Sequence, residues 1–390
     1  MTKCVIMTDR LMQPIAHFSH AVRVGNRIYV GATAGTDAQR RLAGSQTGVL
    51  DIRAQTEKMF ENVETVLGLL GARIEHVVQL KTYIADPRDI PVYLGLFGAR
   101  FASVRPSHAV VGSWSFPLPQ AAIELDLVAV VDQDADRLTV SGLPTVPGAA
   151  PAGVRVGDVH YCTAVPDVDG KGSDKIEAQT RQALLHLSTM LRAAGLKAAD
   201  VCHVHVTLAD VRDYQAFEAA YRGFFAPPWP ARTIVIAPLG HAEQRVQIES
   251  TAHAGGGAAV GGVLSAMSPG IIAGDTLYLS GQIGVNDQGV IADGVEQQTR
   301  AVWSRLREVL AGARMTPEHV LRTSSVLTDW RSYGSFNAGY GANVREPYPP
   351  RTTVLGVLID PRARVQTEAI AHRRAPDAII VQVPGAGPIR

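Results

Sequence analysis

Apolar and polar positions alternate along this chain in three blocks that follow the same order. Each block opens on a β-type run broken by a glycine: Val24-Gly25-Asn26-Arg27-Ile28-Tyr29-Val30, Val156-Gly157-Asp158-Val159-His160-Tyr161-Cys162 and Ala273-Gly274-Asp275-Thr276-Leu277-Tyr278-Leu279. Glycine followed by Asn or Asp between alternating apolar residues predicts a tight hairpin. The period then changes from 2 to 3.6. A Gln-Thr pair (Gln55-Thr56, Gln179-Thr180, Gln298-Thr299) opens an amphipathic helix. In the first block Met59, Val63, Val66, Leu67 and Leu70 share its inner face and Gly71 ends it, as Gly195 and Gly312 end the others. A β-branched run follows and closes on Asp86, Asp210 or Asp329. The second helix shows best in Tyr214, Phe217, Tyr221 and Phe224, whose steps of three or four place the rings on one face, as core packing requires. Pro-x-Arg then precedes a strand, in Pro230-Ala231-Arg232 and Pro349-Pro350-Arg351, with Pro106-Ser107-His108 in the first block. Each block ends on an alternating strand: Ile123-Glu124-Leu125-Asp126, Val246-Gln247-Ile248-Glu249 and Val365-Gln366-Thr367-Glu368.

The internal spacing is constant. Gln55 to Asp86, Gln179 to Asp210 and Gln298 to Asp329 are each 31 residues; Gln55 to His108, Gln179 to Arg232 and Gln298 to Arg351 are each 53. His108 therefore stands where the other blocks carry arginine. A repeat of this length means tandem copies of one unit, and the order, ββαβαβ-like, predicts an α+β fold with a mixed sheet and two helices on one face. The expected domains are 1–135, 140–254 and 262–375, with 376–390 as an extended or disordered tail. Pro and Gly concentrate between about 132 and 150, and Ala254-Gly255-Gly256-Gly257 through Gly262 reads as a flexible linker. No GK[ST] follows that glycine run, so it is not read as a phosphate cradle.

Composition narrows the function. The 390 residues exceed one compact core, and 37 Lys and Arg against 36 Asp and Glu give a net charge of +1, no field for nucleic acid or anionic membrane. No apolar run reaches a membrane-spanning length, and the first residues lack a signal-type apolar region, so a cytoplasmic protein is expected. Cys4, Cys162 and Cys202, odd in number and without CxxC spacing, point to neither disulfides nor structural zinc.

Taken together, these motifs resemble the RidA (YjgF) family of reactive enamine and imine deaminases over nearly all of each copy. The third copy carries the likeness furthest: Leu277-Tyr278-Leu279-Ser280-Gly281-Gln282 is similar to the family's VYxSGQ strand, and Pro350-Arg351-Thr352 to its PARS/PART signature. The resemblance implies chorismate-mutase-like domains that assemble as trimers with ligand clefts between neighbours. Three copies on short linkers imply an intramolecular pseudo-trimer, monomeric or further dimerised, because tethering raises the effective concentration of one copy near the next.

The same resemblance assigns the candidate residues. The family arginine holds a substrate carboxylate, as a guanidinium fork can, and falls on Arg232 and Arg351, with His108 in the first copy. Its SGQ serine falls on Ser280, Thr163 and Gly31, and its helix asparagine on Asn337, with Glu218 and Leu94 elsewhere. The aromatic lid falls on Phe18, where the other copies have Ala150 and Met267. The glutamate that activates water falls on Glu124, with Gln247 and Gln366 in its place beside the two arginines. Grouped copy by copy, no unit holds both Arg and Glu, and the expected principal cleft combines Arg351, Ser280 and Asn337. Glu249 and Glu368 share a strand face with those glutamines; they are expected as interface salt bridges or polar residues around the pseudo-threefold axis, with substitution for the missing glutamate as the alternative. His203 and His205, on one strand face, are expected on an exposed polar surface rather than at a metal.

Three readings stay open. The first is a deaminase-type hydrolase acting on a small carboxylate-bearing enamine, imine or related nitrogen compound, with no metal or organic cofactor. The second is a non-catalytic metabolite-binding or scaffolding protein. The third is an amidohydrolase of cyclic amides, as in the triplicated cyanuric acid hydrolases, or a diverged biosynthetic enzyme; it lacks the lysine per copy that such Ser-Lys chemistry needs. Ribonuclease activity, attributed to some relatives, lacks a basic groove.

Overall fold

A computed structural model describes residues 2–45, 50–144, 146–168, 173–262, 266–286 and 288–383. Domain 1 comprises β1 (Lys3–Thr8), β2 (Ala21–Val24), β3 (Arg27–Ala34), α1 (Ile52–Leu69), β4 (Val77–Ile84), α2 (Ile90–Phe101), β5 (Ser107–Gly112) and β6 (Ile123–Val130). Domain 2 repeats the order with β7 (Asp136–Arg137), β8 (Val154–Val156), β9 (Val159–Ala164), α3 (Ile176–Ala193), β10 (Val201–Leu208), α4 (Tyr214–Phe224), β11 (Ala231–Ile236) and β12 (Val246–His253). Domain 3 has β13 (Ala258–Val260), β14 (Gly270–Ala273), β15 (Thr276–Ile283), α5 (Val295–Gly312), β16 (Val320–Leu327), α6 (Tyr333–Gly341), β17 (Arg351–Leu355) and β18 (Val365–His372), and β19 (Ala378–Val383) follows. The chain is thus three tandem α+β domains, each ββαβαββ behind one further strand.

The hairpins form where the glycines require them. Val24 pairs with Arg27, Val156 with Val159 and Ala273 with Thr276, leaving two-residue loops whose first residue, Gly25, Gly157 or Gly274, sits at φ of 55–57°. The spacing of the Gln and Asp landmarks has a physical cause. Gln55, Gln179 and Gln298 are buried, and their Oε1 atoms accept the backbone N–H of Ala122, Arg245 and Arg364 at 2.7–2.8 Å, tying each first helix to the loop before the last strand. Asp86, Asp210 and Asp329 cap the turn that leads into each second helix by accepting the N–H of Arg88, Arg212 and Arg331.

The sheets run β19-β1-β2-β3-β6-β4-β5, β11-β10-β12-β9-β8-β7 and β13-β14-β15-β18-β16-β17, with the β4–β5, β10–β11 and β16–β17 pairs parallel. Helices pack on one face of each sheet, against Ile28, Val30, Leu80 and Leu125 in domain 1. The alternate positions, Tyr29, Val78 and Val128, point the other way and meet Val156 and Tyr161 of domain 2 and Leu321 of domain 3. The linkers are less slack than their composition suggests. Asp136–Arg137 and Ala258–Val260 each pair with the following domain as edge strands, and Gly256, at φ 72°, lies so close to Ala199 that a Cβ would meet its carbonyl at 2.8 Å. The tail is likewise anchored over Ala378–Val383, which runs parallel to β1; residues 384–390 lie outside the described residues.

Equivalent hydrogen bonds join each domain to the next. Ala150 N–H donates to Pro106 O, Ser268 N–H to Pro230 O and Ser19 N–H to Pro349 O, at 3.1, 3.3 and 3.5 Å, so the contacts run from domain 1 to 2, 2 to 3 and 3 back to 1. Buried ion pairs and histidine–carboxylate contacts follow the same circuit: Lys81 Nζ to Glu249 at 2.7 Å, His205 Nδ1 and His203 Nε2 to Glu368 at 3.2 and 3.4 Å, and Arg322 Nη1 to Asp126 at 3.1 Å. This fits the expectation for Glu249 and Glu368. It corrects the one for His203 and His205, whose side chains are only 13% exposed because they face a neighbouring domain's carboxylate rather than water. The two histidines beside it hold the Glu368 carboxyl well below the usual carboxylate range despite its burial.

Candidate functional site

The residues at the arginine position are first or second in β5, β11 and β17, the strands that follow the Pro106, Pro230 and Pro349 contacts, so each side chain stands at a domain border. Three borders result, and at each the residue at the arginine position meets side chains of its own second helix and segments of the next domain.

Between domains 3 and 1, Arg351 is buried, 3% exposed. Its Nη2 donates to Tyr333 Oη at 3.1 Å and to Asn337 Oδ1 at 2.9 Å, both on α6, and neither partner carries a charge. Nη1 is buried and has no partner among the described residues. Aromatic rings surround the guanidinium, with Tyr340 at 4.7 Å, Phe336 at 5.0 Å and, from domain 1, Phe18 at 5.4 Å. Such faces offset part of the desolvation of a cation, yet they leave its fork open to an anion. The same cavity is lined by Glu124 of domain 1 and by Thr353, whose buried hydroxyl also lacks a partner among the described residues. Burial first, and then the neighbouring Asp126 charge, push the Glu124 carboxyl up to about 8. One cleft therefore joins a cation without an acid partner among the described residues, an aromatic cover and a carboxyl group that titrates near neutrality.

Between domains 2 and 3, Arg232 is equally buried but already paired. Its Nη1 donates to Glu218 Oε2 at 2.7 Å, and the Tyr221 ring lies 4.4 Å from its guanidinium carbon. Glu218 occupies the place that Asn337 holds in domain 3, so this guanidinium already has a carboxylate partner from its own domain. Ser280 belongs here. Its Oγ accepts the Arg232 backbone N–H at 2.7 Å and donates to Ser268 O at 2.6 Å. Gln366 also lies on this border, beside Gly281 and Thr233.

Between domains 1 and 2, His108 stacks on Phe97 at 3.9 Å, and its Nε2 meets Tyr93 Oη at 3.0 Å and Thr82 Oγ1 at 3.3 Å. Burial pushes its pKa down to about 3, so the ring is neutral across physiological pH and cannot grip a carboxylate by charge. Thr163 Oγ1 approaches Ser107 Oγ at 3.4 Å, and Gln247 lies on β12, the strand that pairs with β9 and its Thr163.

The grouping by copy is thus overturned. Arg351, Ser280 and Asn337 do not share a cleft: Asn337 holds Arg351, while Ser280 serves the Arg232 border. Arg and Glu do occur together, as Arg351 and Glu124, because the two come from different domains. The position matching Ser280 in the Arg351 cleft is Gly31, where a Cβ would meet the Arg351 backbone nitrogen at 3.0 Å and its carbonyl oxygen at 3.2 Å. Gln366→Glu would accordingly place a carboxylate at the Arg232 border and not beside Arg351. The sequence reading missed Tyr333, Thr353, Met12, Ile15, Pro117 and Leu118 of the Arg351 cleft. For Thr353 a signal existed: at the same distance from the Gln landmark the other copies carry Val110 and Ile234.

Comparison with known proteins places this geometry. The family model described as endoribonuclease L-PSP matches residues 8–131, 151–254 and 262–373. A RutC family protein of Pyrococcus abyssi is 29% identical over 132 residues, which cover 33% of this chain and 98% of that protein. A 2-iminobutanoate/2-iminopropanoate deaminase of Dermatophagoides farinae is 29% identical over 130 residues, covering 33% of this chain and 98% of that protein. A solved chorismatase is similar in fold across domains, covering 76% of this chain and 93% of its own at a TM-score of 0.54 and 10% identity. With one family match in each domain and most of its length covered, the chain belongs to the RidA (YjgF) family, as three tandem copies of the family domain.

Proposed function

We propose that this protein is a deaminase-type hydrolase of small 2-imino carboxylates, that it works in the cleft between domains 3 and 1, and that the three domains close into a single-chain pseudo-trimer. The observation that carries this reading is the meeting of Arg351, which has no acid partner among the described residues, with Glu124 in one cavity. The deaminases among the relatives support the reaction class.

Arg351 binds the substrate carboxylate through its open fork, with Asn337 and Tyr333 fixing the guanidinium plane. The imine carbon then faces Glu124, and Phe18 covers the bound molecule. The Glu124 carboxylate takes a proton from water as the oxygen attacks the carbon; the C–O bond forms, the C=N π bond breaks, and Glu124 returns the proton to the nitrogen. Glu124 then takes the hydroxyl proton of the tetrahedral intermediate and passes it to the amino group; the C–N bond breaks, ammonia leaves, and the 2-oxo acid remains. A group that titrates near 8 can both accept and return a proton at neutral pH. The reaction uses only these side chains and water.

The test is the rate of 2-oxo acid formation from 2-iminopropionate, generated in situ by an amino-acid oxidase, with wild-type and Glu124→Gln proteins. Acceleration by the wild type, lost in the variant, is expected. No acceleration over buffer by the wild type rejects the reading in favour of metabolite binding without turnover.

A further inference from the structure

Beyond the groups that handle the carboxylate and the imine, the Arg351 cleft has a wall that the deaminase chemistry does not use. Met12 and Ile15 come from the segment between β1 and β2, Pro117 and Leu118 from the loop between β5 and β6, and Ala32 and Ala34 from β3. All six belong to domain 1 and all are apolar. Among the described residues, Arg351 is the only basic residue lining this cavity and Glu124 the only acidic one. With the carboxylate on Arg351 and the imine carbon toward Glu124, the remaining substituent of a 2-imino acid meets this wall.

The wall is held in place. His20 Nε2 bonds to Met12 O at 3.0 Å, Gln13 Nε2 donates to Thr8 O at 2.7 Å, and the His17 ring packs edge-on against Tyr348 of domain 3 at 5.2 Å. The loop carrying Leu118 is closed by Ala121 N–H donating to Leu118 O at 3.1 Å. The same bond recurs in the other domains, from Gln244 to His241 O and from Ala363 to Asp360 O. The turn position that is leucine at the Arg351 cleft is therefore histidine and aspartate in the other two copies, so its apolar character is particular to this cleft and not a need of the turn.

We propose that the cleft selects 2-imino acids with aliphatic or thioether side chains longer than a methyl group, and that Leu118, Met12 and Ile15 determine this preference; the proposal rests on the deaminase reading. An acidic side chain would find no second cation and would face Glu124. Each buried methylene favours binding by about fourfold, so a leucine-derived imine should exceed the alanine-derived one in kcat/KM by at least about tenfold, and an aspartate-derived imine should be the poorest.

Two measurements keep the proposal and the deaminase reading apart. The first compares kcat/KM for imines generated in situ from alanine, leucine, methionine and aspartate. The second measures, by calorimetry, binding of the matching 2-oxo acids to the full chain, which requires no turnover. Tighter binding of 4-methyl-2-oxopentanoate than of pyruvate or oxaloacetate supports the wall even if no imine is hydrolysed, an outcome that rejects only the deaminase reading. Hydrolysis with equal or greater kcat/KM for the alanine- or aspartate-derived imine, equal affinity for all three acids, or no binding of any, overturns the proposal. Leu118→Asp should lower the leucine-to-aspartate ratio at least tenfold; Met12→Ala, which introduces no charge, should lower the leucine-to-alanine ratio and serves if Leu118→Asp does not fold. An unchanged ratio in a folded variant also overturns it.

Discussion

Arg351 and Arg232 occupy the same place in their domains, both buried and each against aromatic rings, yet their surroundings give them opposite partners. Across from Arg351, α6 offers the neutral amide of Asn337 and domain 1 offers Glu124 and Phe18. Across from Arg232, α4 offers Glu218 at 2.7 Å. A buried guanidinium must be compensated; Glu218 does this at one border, while at the other Arg351 meets only the neutral groups of Asn337 and Tyr333 among the described residues, which is why we propose a ligand carboxylate there. An identical residue at an identical spacing is therefore a structural ion pair at one border and, in the proposed function, the binding group at the other, and the side chain at one position of the second helix, Glu218 or Asn337, is the difference nearest to each guanidinium.

The largest test of that contrast is Glu124→Gln. Removing the proton acceptor should reduce kcat by roughly 10²–10⁴-fold while 2-oxo acid binding persists. In the wild type the rate should rise with pH and level off above about 8, as the Glu124 carboxyl ionises. The folded protein holds that proton more tightly than the unfolded chain, so stability is fully present below the unfolded carboxyl pKa and is lost as pH rises through about 8. Glu124→Gln removes this loss, and its melting temperature relative to wild type should improve between pH 5 and pH 9. A pH-independent difference would contradict the burial of that carboxyl.

Arg232→Ala comes next. It strips Glu218 of its buried partner and should cost about 3 kcal/mol in denaturant unfolding, with 2-oxo acid affinity at the Arg351 cleft unchanged. Loss of binding with little loss of stability would reverse the roles assigned to the two arginines. Arg351→Ala should show the complementary pattern, a ten- to hundredfold fall in affinity for a 2-oxo acid from the loss of a charge-assisted contact of roughly 1.5–3 kcal/mol. Arg351→Lys should recover only part, because a point charge cannot match the fork.

The smallest effect sharpens the comparison most. Glu218→Gln takes away the internal carboxylate and leaves Arg232 seeking an anion, as Arg351 does. Calorimetric titration should then reveal a second, weaker 2-oxo acid site per chain, and a stoichiometry that stays at one would mean that more than Glu218 closes that cleft.

Much of the fold was legible along the chain because its signals are local. Gly25, Gly157 and Gly274 set two-residue turns, and the Gln and Asp landmarks recur because each makes the same buried or capping hydrogen bond in every copy. The shared spacing also placed His108, Arg232 and Arg351 at equivalent sites. The linkers were less legible: residues 136–137 and 258–260 look slack by composition, and only pairing with the following sheet makes them strands.

By itself, then, the sequence determined three copies of one α+β unit and the residue types at each position of their clefts. Which of those residues meet was decided by tertiary structure alone. Period-two alternation fixes which face of its own sheet a side chain takes, but not which domain is packed against that face. Arg351 and Glu124 are 227 positions apart in the chain; they share a cavity because domain 3 closes back on domain 1, an encounter that no local pattern encodes.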